Sequence, residues 1–244
     1  MGREHGLPLP YHPGVAAIAV ADIRPFMGDT AFARHRARRP SDSRLGEAQM
    51  TDPLSAAQEH FAQLTSYRAT IRSTPLRGEP THIHYAYRRP GYVRMEFVTP
   101  HHGAVLAYDP AIGKVRLRPL GARVPPVLSL SPTNPLVCDA SGHRVDASDV
   151  GTLLRNVSAL RQHGAMDDTR EDPMNGFTAV RVTVTGAPGH VIAGVHRYVL
   201  WLDSRNGFPR KVVSYAGDDG APLETVTLDD VETDVAFPEH FFDP

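Results

Sequence analysis

The chain has 244 residues, 26 Lys and Arg against 27 Asp and Glu, and one cysteine, Cys138. Charges that nearly cancel give no overall field to draw nucleic acid or an anionic membrane. A lone thiol excludes both an intramolecular disulfide framework and a multi-cysteine zinc site.

No window approaches the run of about 20 apolar residues that a membrane-spanning helix needs. Residues 1–50 mix prolines and glycines with a basic run from Arg34 to Arg39 and keep no period. They are expected to be a mobile extension ahead of a single domain over 51–244. The apolar stretch Val15 to Val20 is short, runs into Asp22 and lacks a small-residue cleavage site, so a secretory signal is not expected.

Thr51-Asp52-Pro53 reads as a helix start, a capping side chain followed by proline at the first helical position. The helix should run to about Ser66, with Leu54, Ala57, Phe61 and Leu64 forming one apolar stripe. The period then changes to two. Tyr67, Ala69 and Ile71 share one face, as do Ile83, Tyr85 and Tyr87. Val93, Met95 and Phe97 continue the pattern opposite Arg94 and Glu96. A strand from Ala104 to Tyr108, which contains Leu106, leads through the turn Asp109 to Gly113 into Val115 and Leu117. Five short strands with no intervening helix predict an antiparallel meander.

From Leu120 to Pro135 four prolines interrupt the pattern among Val124, Val127, Leu128 and Leu130. An apolar loop must pack on something, so this segment is expected to be a lid. Asp146 to Asp149 then caps a second helix over about 148–162, whose stripe is Val150, Leu153, Leu154, Val157 and Leu160. Four more strands are expected at about 177–185, 195–203, 209–216 and 222–231, the last three joined by the turns Ser204 to Gly207 and Gly217 to Gly220. The class is mainly β with α (α+β): a long antiparallel sheet with one apolar face.

Enzyme signatures are missing: no phosphate loop, no dinucleotide fingerprint, no nucleophile elbow. No enzyme activity, cofactor or metal is therefore expected. His82, His84, His101 and His102 offer imidazoles to a metal but lack carboxylates at matching spacing, which favours polar surface. Cys138 beside His143 reads as a buried, inert thiol. Of the carboxylate pairs, Asp167-Asp168 and Asp218-Asp219 read as turns, and Asp229-Asp230 as the flank of a strand end.

The apolar face makes either a closed core or a lipid-sized groove. Tyr85, Tyr87, Val93, Met95, Phe97, Leu106 and Trp201 are the candidate cavity residues, covered by Val124, Val127, Leu128 and Leu130 and by Leu153, Leu154 and Val157. At about 25 cal/mol per Å² buried, an acyl chain gains several kcal/mol there without any specific hydrogen bond.

The succession YAYRRPGYVRMEF, AVLAYDPAIGKVRLRP, the second helix, RYVLWLDSRNGFPRKV and FPEHFF resembles the outer-membrane lipoprotein-sorting (LolA-like) family over about residues 53–243. Its superfamily includes mycobacterial lipid-binding lipoproteins and the sensor domain of envelope-stress regulators. The resemblance implies an unclosed antiparallel half-barrel, covered by helices and a lid, that takes acyl chains in the periplasm without a cofactor. It also implies a role for Arg89. Read alone, an arginine before proline is an exposed strand-end charge; in the family, an arginine at this place bonds to the lid and holds the empty cavity closed. The expected function is non-enzymatic binding of an acyl chain of a lipid or lipoprotein, as a carrier or sensor. The alternatives are a regulatory module with a filled core that binds an envelope protein partner and, third, a hydrolase.

Overall fold

The computed structural model describes residues 52–119, 126–138, 143–174, 176–218 and 220–243. The expected extension over 1–50 and the lid residue Val124 lie outside them.

Helix α1 spans Pro53–Gln63, and strands β1 to β6 follow at Ser66–Pro75, Thr81–Arg88, Tyr92–Thr99, Val105–Asp109, Lys114–Arg118 and Leu128–Leu130. Helix α2 spans Val150–Gln162. Strands β7 to β11 are Gly164–Met174, Phe177–Gly186, Arg197–Asp203, Pro209–Tyr215 and Glu224–Thr233. They form one sheet of 11 strands in the order β6-β5-β4-β3-β2-β1-β11-β10-β9-β8-β7. Every neighbouring pair is antiparallel. The end strands β6 and β7 do not pair, so the barrel stays open.

The two meanders meet where the last strand pairs with the first, Ile71 opposite Leu228 and Tyr67 opposite Thr233. Alternation sends one side of each strand to the helices. On that concave side Tyr67, Ile83, Met95, Leu106, Leu200 and Leu228 are all buried in one core with Leu153, Leu154 and Val157 of α2.

Two strands differ from the sequence expectation. Leu128–Leu130 is not a lid; it hydrogen-bonds to β5 as an edge strand, Leu130 opposite Val115, and its leucines pack against the core from the sheet itself. Val127 stays exposed. At the other edge, Gly164–Met174 is a strand where turns were expected, so Asp167-Asp168 lie within a ladder. Its charged sequence hides the strand, and charge is what blunts an edge against further pairing. Asp229-Asp230 likewise lie inside β11, near a bulge opposite Arg68 to Thr70, rather than at its end.

The carboxy-terminal segment returns across the outer face of β3 to β5. Arg94 donates from Nη1 to the carbonyls of Phe241 (3.0 Å) and Asp243 (2.9 Å), and the Arg88 guanidinium lies 4.7 Å from the ring centres of both Tyr92 and Phe242.

Candidate functional site: a short helix over an aromatic concave face

The two helices are held very differently. Asp149 caps α2 by accepting from the Thr152 backbone N–H at 3.1 Å, and the sheet supplies the rest. The Val150 N–H donates to the Tyr67 hydroxyl (3.2 Å), and the hydroxyls of Tyr85 and Ser148 lie 3.1 Å apart. These bonds engage donors that a helix N-terminus otherwise leaves orphaned. Eight residues of α2 are buried. It is part of the core.

Helix α1 is attached more lightly. Asp52 caps it and Pro53 opens it, but only Leu54 and Ala57 of its residues are buried. Asp52 also pairs with Arg161 of α2, and Gln58 Nε2 donates to the Leu154 carbonyl at 3.5 Å. Burial raises the Asp52 pKa, but hydrogen bonds from Ser55 and Arg161 outweigh it and leave the carboxyl below its ordinary value. Only Leu64 and Thr65 separate α1 from β1.

Two glycines form its seat. A β-carbon on Gly207, in the turn before β10, would stand 2.9 Å from Ala57 Cα, and Gly207 has φ +65°. A β-carbon on Gly151 would stand 2.4 Å from Cε1 of Phe61. Neither position tolerates a side chain while α1 sits where it does.

Arg89 fixes the end of this helix. Its Nε donates to the Leu64 carbonyl at 2.5 Å and its Nη2 to the Phe61 carbonyl at 2.8 Å, with the guanidinium 5.8 Å from the Phe61 ring centre. The Phe61 carbonyl also accepts the Leu64 N–H at 3.2 Å, and the partial negative charge of carbonyls at a helix C-terminus favours a guanidinium there. The planar fork reaches both at once.

Beneath Phe61 lies an aromatic stack. Tyr67 sits 5.2 Å from Tyr87, 5.8 Å from Tyr85 and 5.2 Å from Phe208, and Phe61 approaches Tyr87 at 6.0 Å. Phe61 of α1 covers part of this aromatic surface.

The sequence candidates are distributed accordingly. Tyr85, Tyr87, Val93, Met95, Phe97 and Leu106 are buried in the common core, against which α2 sets Leu153, Leu154 and Val157. The concave face is filled by its helices. Trp201 is a correction: it is on the opposite face, where Nε1 donates to Asp172 at 3.2 Å and Lys211 lies 4.7 Å from its ring centre. Counting from Tyr198, Leu200 and Leu202, which are buried, Trp201 is the odd residue of β9 and points outward. A groove of about 280 Å³ also lies on that outer side, over Thr70, His84 and Ala86.

The remaining candidates do not converge. His82 and His84 are 5.8 Å apart on the outer face, while His101 meets Phe97 edge-on. Among the described residues no three of His, Cys, Asp and Glu come together as a metal group. Cys138 is half-buried rather than buried, its thiol donating to the Pro132 carbonyl at 3.4 Å. Among the described residues no helix is long and apolar enough to cross a membrane.

Three solved structures illustrate what the chain is similar to. The complex of MucA and MucB from Pseudomonas aeruginosa matches at 18% identity and a TM-score of 0.49, over 79% of this chain and 59% of that one. Lipoprotein LppX of Mycobacterium tuberculosis matches at 10% identity and 0.46, over 73% and 92%. A LolA superfamily protein from Nitrosomonas europaea matches at 13% identity and 0.36, over 79% and 96%. This chain spans 59% of the MucA/MucB chain it matches. No protein-family model and no curated protein matches it.

The buried tyrosines make one pH prediction. Burial pushes the Tyr67, Tyr85 and Tyr198 phenols well above their ordinary value. Their stabilising contribution is complete below the unfolded value of about 10 and is lost as pH rises above it. In an ultraviolet titration, these three phenols should ionise only together with loss of tertiary structure. Titration of every tyrosine near pH 10 in a folded protein would contradict their packing.

Proposed function

We propose that the protein binds an acyl chain of a lipid or lipoprotein on the concave face, beneath α1, as a non-enzymatic carrier or sensor of a bacterial envelope. The observation that carries this reading is the Arg89 latch on the Phe61 and Leu64 carbonyls. A filled concave face is common to a closed carrier and to a partner-binding module. A closed carrier needs in addition a cover that moves without unfolding the core, and α1 has the features of one. It buries two residues, rests on glycines and ends in a clamp of one side chain.

Opening follows from these contacts. Release of the two Arg89 bonds frees the carbonyl end of α1, and rotation about Leu64 and Thr65 carries Phe61 off Tyr67 and Tyr87. An acyl chain then takes the place of Phe61 against the aromatic stack and the leucines of α2. The exchange of one apolar surface for another is nearly neutral in area, so the ligand is gained through the additional length of chain buried. Periplasmic location and an envelope protein partner belong to the same proposal.

Native mass spectrometry after gentle extraction tests it. The expected result is a population carrying a lipid mass that a detergent wash removes. A protein that emerges lipid-free and also ignores fluorescent fatty acids would sink the reading.

A further inference from the structure

The outer face of β8 to β11, on the side of the sheet away from the helices, carries an uncharged strip between two cationic walls. Thr183, Val199, Val213 and Thr225 stand side by side on four neighbouring strands. Each alternates along its strand with a core residue, Val182, Leu200, Val212 or Val226, and so faces outward. One wall is the row Arg181, Trp201 and Lys211, and the other is the pair Arg197 and Tyr215. Lys211 Nζ lies 4.7 Å from the Trp201 ring centre, and the Arg197 guanidinium carbon lies 4.1 Å from that of Tyr215. Val213 is only 6% exposed although it faces outward, so the strip is the floor of a trough.

The walls are short of carboxylates. Asp172 serves Trp201 at 3.2 Å and Arg181 at 3.6 Å, and Asp203 serves Arg205. Among the described residues no carboxylate pairs with Lys211 or Arg197. The Arg197 Nε is buried without a hydrogen-bond partner. Cations held in place on aromatic rings and left without an anion are suited to recognising one.

The complement of this trough is an apolar ridge with carboxylates on both sides. Lys211 and Tyr215 are four residues apart on β10, so the walls stand about 13 Å apart at about 3.3 Å per residue. An α-helix with its side chains is about 10–12 Å wide and can carry acidic residues on both flanks of an apolar stripe. An extended peptide sends its side chains alternately up and down, so it cannot flank its own apolar residues. A planar bilayer would meet the walls and miss the floor, and polybasic lipid sites use roughly four to eight cations, more than Arg181, Lys211 and Arg197 supply. The chain's own first 50 residues, with Arg34, Arg36, Arg38 and Arg39, carry the wrong sign.

We propose that the trough docks an amphipathic helix of a partner protein, its apolar stripe on Val199 and Val213 and its carboxylates on Lys211, Arg181 and Arg197. Asp167, opposite Thr183, stands at the outer end of the strip and favours the positive N-terminus of the helix there. This inference rests on the protein partner of the proposed function and gives it a place and a chemistry. Acyl binding on the opposite face is independent of it.

The test uses the full-length protein and two fluorescent peptides of about 20 residues, long enough to hold a helix, with the same leucine stripe and either glutamate or lysine on both flanks. Anisotropy at low salt is expected to favour the glutamate peptide by about tenfold or more. The preference should shrink at about 1 M salt, where screening acts within about 3 Å. Lys211→Glu combined with Arg197→Glu should reverse it. Lys211→Gln combined with Arg197→Gln should abolish it, and this milder pair keeps the test valid if the charge reversal does not fold. Equal or absent binding of the two peptides, or a preference unchanged in either folded pair, overturns the docking surface. Binding to phosphatidylglycerol vesicles that the same variants lose, without a peptide preference, assigns the trough to a lipid surface and overturns the helix. A fluorescent fatty acid followed in the same samples reports acyl binding separately: its failure leaves the trough standing, and loss of the peptide preference leaves the acyl site standing.

Discussion

Gly207→Val should detach α1 and leave the rest of the protein folded. The substitution puts a β-carbon within 2.9 Å of Ala57 Cα, a backbone atom that cannot swing aside, at a residue with φ +65°. A left-handed backbone costs an L-residue roughly 1–2 kcal/mol, and forced overpacking adds about 1–3 kcal/mol. Helix α1 is the neighbour with the least to lose by moving. Hydrogen exchange should therefore show fast amides throughout 53–63 with little change in α2. Gly113→Ala separates the two terms, because Gly113 has φ +61° and nothing within 4 Å of its β-carbon position. It should lower stability slightly and leave α1 protected. Loss of protection in α2 or β1 together with α1 would show that α1 is integral to the core and not its cover.

Arg89→Leu should raise the population with α1 open by about tenfold. Two charge-assisted hydrogen bonds to carbonyls are lost, and because Arg89 is exposed their combined value is taken as roughly 1–2 kcal/mol. The expected readouts are faster exchange of the α1 amides and faster entry and release of a fluorescent acyl ligand, with unchanged global stability. Arg89→Lys should fall between, because a single ammonium does not span two carbonyls as the guanidinium fork does. Unchanged ligand kinetics in Arg89→Leu would leave Arg89 a helix cap without a part in binding.

Much of this arrangement is legible in the residues. Period-two alternation from Tyr67 to Leu117 sets which side chains face the helices, and Asp52-Pro53 and Asp149 mark both helix starts. What escapes is whatever lacks a local pattern. Strand β7 carries charges at Asp167, Glu171 and Asp172, because an edge strand has only one paired side and little need of apolar residues. Leu128–Leu130 is too short to alternate visibly, so its apolar character reads as loop cover. Trp201 is misplaced for a simpler reason: a large aromatic suggests interior, but parity with Leu200 and Leu202 decides its face.

The family resemblance points to Arg89 and to helices as cover, while the apolar residues of the proline-rich segment suggest a lid loop; Arg89 bonds to the carbonyl end of α1. Gly151 is the one local clue, since glycine within a helix costs about 1 kcal/mol and calls for a packing reason, here the ring of Phe61. Gly207 passes for an ordinary hairpin glycine. The buried Ser73, Ser214 and Glu224 come from three separate strands and are brought together only by sheet register.

Displacement of α1 by a ligand is the step on which the proposed carrier function depends. With nitroxide labels at Ala62→Cys on α1 and Ser204→Cys in the turn before β10, in a Cys138→Ser background, pulsed electron spin resonance measures that displacement directly. On saturation with a long-chain acyl ligand, opening of α1 shifts the distance distribution to longer values, and the shift reverses when the ligand is extracted. A ligand-saturated protein with the same distribution as the empty one would place the acyl chain elsewhere and contradict the opening of α1.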